Sequence, residues 1–464
     1  MVRTIPPIVL KRKAYGKLLE WKDRKHKCLL VSGQRQVGKT YIIDRFGKEN
    51  YEHYAYFDFN EIKELKLVFG GNLDVDSIIA GLSLYADNVE FVPGSTLIVL
   101  DEIQECPEAR ASLKYFTIDG RYDVIASGSM LGVKIPRKKS DSGEEPMVPV
   151  GYEEHLNMCS LDFEEFLWAN GISERTINDA RASIHDRKPV TDAVLNRFSA
   201  LFKDYMIVGG MPEAVDTFLT NHNFVEAGRV LGDLIKSCKK DINRYTEGAD
   251  RIKTIECFES IPIQLAESNK KFMYSRINGG ESRNTREKYG ENLMWIKNAG
   301  YGNYCDALTT LALPLENNEM KHQFRVYMSD TGLLMHMYGR DAMKAIYSED
   351  YSYNVGAIAE NVVAECLVKS GYNPRFYKKN GGPDMMELDF VTTLGSEIAV
   401  IEVKSGKKRT APSLGKVDRF YKVGRRIIFE RSNIYVDESG IEHYPLFASA
   451  FFDELEPEWD GPEF

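Results

Sequence analysis

Cysteine is sparse in this chain, with seven in 464 residues. Cys28, Cys106, Cys159, Cys238, Cys257, Cys305 and Cys366 are scattered, odd in number and contain no C-x-x-C pair. That usage argues against a disulfide framework or a zinc site and fits a reducing compartment. Long apolar runs are missing too. No window approaches the ~20 apolar residues that span a bilayer, so no membrane segment is expected. The opening stretch, MVRTIPPIVLKRKAYGKLLEW, has no uninterrupted apolar segment and does not read as a signal peptide. The expected location is cytoplasmic. Nor is there an excess of basic charge. The formal net charge of −9 disfavours non-specific coating of nucleic acid, yet it leaves a local basic groove open, because the field that matters is local. Internal repeats and low-complexity tracts are absent. Hydrophobic residues make up 43% and charged residues 28%, as in ordinary globular chains. At ~150 residues per domain the length suggests roughly three domains.

Residues 1–25 read as a basic amphipathic helix with Leu18, Leu19 and Trp21 among lysines and arginines. From 28 to about 160, apolar runs (CLLVSG, YAYFDF, TLIVLDE, YDVIASGS) alternate with helix-like stretches. Such alternation implies a parallel α/β sheet with crossover helices. The charged stretch 134–147 is read as a surface loop. Residues 160–245 turn helical, interrupted by VGGMPEAV at 208–215. Residues 250–330 read as helices followed by a strand pair. From 350 the pattern is α/β again, with a helix at 356–370 and strands near 374–378, 387–393, 397–404, 426–430 and 433–436.

Residues 33–40, GQRQVGKT, are a complete G-x-x-x-x-G-K-[ST] loop between a strand-like and a helix-like stretch. Gly33, Gln34, Arg35, Gln36, Val37 and Gly38 would cradle phosphates with successive N–H groups at a helix N-terminus. Lys39 would neutralise the β- and γ-phosphates, and the Thr40 hydroxyl would ligate Mg²⁺. About 60 residues on, Leu97 to Leu100 lead into Asp101 and Glu102. Asp101 is expected to face the magnesium and Glu102 an attacking water. Ser127 and Ser129 end a third run, where they would contact the γ-phosphate or orient the water; an ordinary helix cap is the alternative. The choice of base is not directly encoded; no guanine signature is evident, so ATP is the default expectation.

These segments, with IASGSMLG, LDFEEFL, YMIVGGMPEAV and YMSDTGLL, resemble the large prokaryotic family of AAA-type (AAA_14) ATPases that carry a C-terminal DUF4143 region. The motifs occur in family order across nearly the whole chain. The resemblance implies an AAA core, a helical and winged-helix-like middle, and a C-terminal restriction-endonuclease-like fold. One departure stands out. Many members have Gly-Arg where this chain has Gly151–Tyr152. The source of an arginine finger is therefore open, with Arg137 and Arg283 as candidates and solvated surface arginines as the plainer reading.

In the middle, 275–310 would suit a winged helix, with Arg283 and Arg286 at phosphates or base edges. Winged helices also serve as protein interfaces, and Met294, Trp295 and Ile296 read as core. A second constellation follows. Strand alternation puts Asp389 opposite Leu388 and Phe390, and puts Glu402 and Lys404 on one face with Ile401 and Val403 inward. The spacing D-x₁₂-E-x-K matches the PD-(D/E)xK nuclease pattern. Glu360 shares a helix face with Val363, Ala364 and Leu367, and a carboxylate there calls for a partner. Asp389, Glu402 and Glu360 would hold one or two Mg²⁺ or Mn²⁺, with Lys404 positioning the water. The bland alternative is a charged strand edge on which Glu402 and Lys404 form an ion pair.

The expected organisation is α/β. It runs as an AAA-type core at 1–160, a helical lid at 161–245, a winged-helix-like region at 246–340, a nuclease-like domain at 341–455 and an acidic tail at 456–464. The expected function is an ATPase whose nucleotide state controls a nuclease-like domain acting on DNA or RNA, with Glu102, Lys39, Glu402 and Lys404 as catalytic residues. The rival is a signalling or scaffold ATPase whose degenerate nuclease-like domain binds a protein partner. A basic groove at Lys404, Lys407, Lys408 and Arg409 would favour nucleic acid. A homo-oligomer is left open.

Overall fold

The computed structural model describes residues 10–24, 26–86, 88–130, 149–246, 248–280, 285–348, 355–406 and 411–457. The chain divides into two compact units. One comprises Lys11–Ser160 with Asn298–Gly300; the other holds Leu161–Lys297 and Tyr301–Phe464. Arg137, Arg283, Lys407, Lys408 and Arg409 lie outside the described residues.

The first unit is built on five parallel strands: β1 (Cys28–Gly33), β2 (His53–Asp58), β3 (Thr96–Asp101), β4 (Asp123–Ser129) and β5 (Glu153–Met158). Their order is β2-β3-β4-β1-β5. Every residue of β3 is buried. That follows from its run of β-branched and leucine side chains, which suits a strand covered on both faces. Each of Leu97 to Leu100 is fully buried and contributes roughly 1.5–3 kcal/mol relative to exposure, which fixes where the strand ends and its polar tip begins. The expected N-terminal helix is present as Lys13–Lys22, burying Ala14, Leu18 and Trp21.

The second unit packs helices on an eight-stranded mixed sheet. Its strands are β6 (Gly302–Leu308), β7 (Glu319–Met328), β8 (Arg375–Lys379), β9 (Met386–Leu394), β10 (Glu397–Val403), β11 (Arg425–Glu430), β12 (Tyr435–Val436) and β13 (Glu442–Pro445). The order is β12-β13-β11-β10-β9-β8-β6-β7. The hairpin β6–β7, which follows the helix Arg286–Asn298, pairs through β6 with β8. One sheet therefore runs across the 340/341 division. Met294 is exposed, unlike Trp295 and Ile296.

The segments YMIVGGMPEAV and YMSDTGLL meet inside this unit. Tyr205 is fully buried, and its hydroxyl lies 2.9 Å from both the Glu365 carboxylate and the Leu161 carbonyl. Lys369 donates to Glu365 at 2.6 Å, and the Thr331 N–H to the other Glu365 oxygen at 2.7 Å. A buried carboxylate is tolerated only with partners of this kind. Asp330 accepts from the Gly210 N–H at 2.9 Å and caps the helix Thr331–Tyr338. Gly209 has φ +73°, and a Cβ there would overlap the Asp330 carboxylate and the Gly332 backbone. These segments stitch the helices to one another.

Candidate functional site

The loop 33–38 joins β1 to the helix Lys39–Asn50, whose N-cap is Gly38 in the left-handed region at φ +91°. Gln36 is also left-handed, at φ +63°. Such turns aim successive N–H groups into one concavity. Gly33 has a further reason to be glycine, since a Cβ would overlap the Met158 carbonyl of β5. Val37 is fully buried, and its carbonyl accepts from Arg12 at 2.8 Å. Arg12 also donates to the Cys159 carbonyl at 2.7 Å, tying the loop to the far end of β5. Gln34 is buried and Arg35 half-buried. The Lys39 ammonium donates to the carbonyls of Gly33 and Gln34 at 3.1 and 2.8 Å, at the mouth of the loop.

Asp101 ends β3, is 4% exposed and gathers hydroxyls from three elements. Thr40 and Tyr56 donate to one oxygen, each at 2.8 Å, and Ser127 to the other. Ser127 thus lies against Asp101, within the site. Ser129 lies beside Gly33 in the β1–β4 register. Glu102 follows with φ +54°, a turn that separates its carboxylate from that of Asp101. Gln104 donates to it. Burial first, and then the charge of Asp101, raise the Glu102 carboxyl above its usual range, opposed by the Gln104 hydrogen bond and the charges of Arg35 and Lys39. A Thr40 hydroxyl and an Asp101 carboxylate already within hydrogen-bonding distance are the right donors for a hard divalent cation. Arg12 and Tyr56 escape a sequence reading because they come from outside the two motifs, and Gln104, two residues past Glu102, because nothing in the motif singles it out. The only signal for Tyr56 is its place in YAYFDF, on the strand beside β3.

Residues 25–167 match the family model described as an AAA domain. This chain carries an AAA-type ATPase domain. It binds and hydrolyses ATP. Residues 199–344 match a domain of unknown function, DUF8612, and residues 355–446 another, DUF4143. The segments YMIVGGMPEAV and YMSDTGLL fall within the first of these two. No curated protein matches the chain. Among solved structures, the chain is similar to the Walker-type ATPase PABY2304 of Pyrococcus abyssi, with 13% identity and a TM-score of 0.46, over 72% of this chain and 99% of that one. It is also similar to the Thermotoga maritima RuvB Holliday junction branch migration motor, with 13% identity and a TM-score of 0.27, over 63% and 89%. Likeness at these values does not establish a shared fold. No helix of the described residues is long and apolar enough to cross a membrane.

In the second unit, the helix Val355–Lys369 delivers Glu360, β9 delivers Asp389, and β10 with its next residue delivers Glu402 and Lys404. Burial and Asp389 push the Glu402 carboxyl up to about 7, against the pull of Lys404, which donates to it. Its second oxygen is buried and has no hydrogen-bond partner. Asp389 accepts from the Val403 N–H at 3.0 Å. Sequence reasoning missed two further members. Lys270 donates to Glu360. Arg325, on β7, is 2% exposed in its side chain and lies 2.6 Å from Glu387, 3.9 Å from Glu360 and 4.0 Å from Asp389. Among the described residues, no three His, Cys, Asp or Glu side chains are placed to hold a metal ion. The donor chemistry suits a divalent ion, but with Lys270 and Arg325 on Glu360 the arrangement does not fit one.

Proposed function

We propose that ATP hydrolysis in the first unit is a switch whose output is the module carrying Glu360, Asp389, Glu402 and Lys404, and that this module acts on nucleic acid. The nucleotide half rests on the Thr40–Asp101–Glu102 arrangement. The N–H groups of 33–38 and the Lys39 ammonium hold the phosphates, once Lys39 turns from the loop carbonyls. Thr40 and Asp101 would hold Mg²⁺, which supplies charge neutralisation at the phosphate oxygens when bound. Glu102 takes a proton from water as its oxygen attacks the γ-phosphorus and the bond to the β-phosphate oxygen breaks, releasing ADP. Ser127 holds Asp101, and Ser129 lies near enough in register to reach the phosphate side. Loops that order around the γ-phosphate and relax on its loss are a known way to pass such a state onward.

The observation that supports the output half is convergence. A helix and two strands bring three carboxylates and a lysine, spread over residues 360–404, to one buried cluster. The second reading is a module that binds a protein partner and does no chemistry. The ion pairs from Lys270 and Arg325 to Glu360 favour it. A cleavage assay on DNA and RNA with Mg²⁺ or Mn²⁺, with and without ATP, separates the two. ATP-dependent cleavage lost in Lys404→Ala supports the first. ATP turnover without cleavage under any of these conditions replaces it with the second.

A further inference from the structure

Cations crowd the carboxylates around Glu360. Glu360, Glu387, Asp389 and Glu402 face Lys270, Arg325, Lys378 and Lys404, with Lys271 close by. Lys270 is paired with Glu360 and Lys404 with Glu402. Lys378 lies 2.6 Å from Glu387. Arg325 crosses the sheet with its guanidinium 4.3 Å from the Phe376 ring centroid and reaches Glu387 at 2.6 Å. Glu360, Glu387 and Glu402 are thus each paired with a cation without a metal. Burial matters here, because Arg325, Glu360, Asp389 and Glu402 have side-chain exposures of 2, 6, 14 and 13%. In so little water, a divalent cation approaching Glu360 meets the full repulsion of an ammonium and a guanidinium. It also finds one oxygen of Glu360 held by Lys270 and one of Glu402 held by Lys404, while the second Glu402 oxygen has no hydrogen-bond partner.

We propose that Lys270 and Arg325 are built-in counter-ions that close this carboxylate cluster to divalent metal, so that a metal enters only when Lys270 leaves Glu360. The proposal rests on reading these residues as a nuclease-like constellation and names the regulation of that site. Lys270 is the movable member, at 18% exposure against 2% for Arg325. It lies between the helix Gly248–Leu265 and Phe272, whose N–H pairs with the Phe324 carbonyl of β7 at 2.8 Å.

Mn²⁺ binding to the full chain, followed by electron paramagnetic resonance without nucleotide, tests this. The background variant is Asp101→Asn, which removes the carboxylate at the P-loop. With the cations intact, no Mn²⁺ that depends on Glu402 should bind. Adding Lys270→Met should create one Mn²⁺ site, bound about tenfold or more tighter than in the parent, and a further Glu402→Gln should abolish it. Lys270→Arg keeps the charge and should stay closed. An Mn²⁺ bound with Lys270 and Arg325 in place and lost with Glu402→Gln would overturn the proposal. So would the absence of any gain in Lys270→Met, whose fold is checked by its circular dichroism. A module that never cuts nucleic acid leaves these ion counts readable, so the two readings fail separately.

Discussion

Asp101 is the residue on which the nucleotide site turns. Hydroxyls of Thr40, Tyr56 and Ser127 reach it from the P-loop helix and from both neighbouring strands, so its carboxylate is oriented before any ligand arrives. Tyr56→Phe removes one of these donors and leaves the motif intact. The account predicts that ATP turnover falls several-fold, by about 1 kcal/mol for one lost hydrogen bond, while β2 and β3 keep their pairing. Steady-state phosphate release checks this. Glu402 gives a second prediction. Its carboxyl is raised to about 7, well above the ordinary carboxylate range, chiefly by burial. The folded state therefore keeps a proton that the unfolded state gives up, and stability falls as pH climbs from that ordinary range to about 7. Glu402→Gln cannot ionise, so it should gain on the wild type between pH 5 and pH 7.5. Denaturant midpoints at the two pH values report the difference, and an equal gap at both would refute the sign. Lys39, Thr40 and Asp101 were legible in the sequence because a contiguous loop and a strand end carry them. Arg12, Lys270 and Arg325 were not, because each reaches its partner from a different element, and only folding brings them together.

At the scale of elements, the parallel sheet follows from its apolar runs, above all from β3. The lesser strands are harder to read. β13 is four residues ending in proline, Glu442–Pro445, and all four are buried; so short a run offers no periodicity. The hairpin β6–β7 read as a local pair, but its long-range partner β8 lies more than 40 residues on, and no local pattern encodes such pairing. Glycine at 209 is a sharper case. The sequence shows a turn in VGGMP, yet its physical cause is the Asp330 carboxylate more than 100 residues away. Gly209→Ala should cost about 2 kcal/mol or more, from both the left-handed backbone and the overlap. Its effect should appear as an earlier denaturation midpoint of the second unit, with ATP binding unchanged. Ala substituted at Gly440, where φ is +78° and space is more open, is the comparison; an equal loss there would remove the packing argument.

For the whole molecule, the proposed coupling of the AAA domain to the mixed-sheet module can be tested from each half. ATP should alter what the second unit does to nucleic acid or to a partner, and Lys39→Ala should abolish that dependence while leaving the Glu360–Lys270 and Glu402–Lys404 pairs in place. The most direct measurement is ATP hydrolysis by the full chain, wild type beside Lys39→Ala and Glu102→Gln, with nucleotide binding measured on the same samples. The account predicts that Glu102→Gln still binds ATP but loses about 100-fold or more in turnover, and that Lys39→Ala loses both binding and turnover. Turnover unchanged in either variant would contradict it.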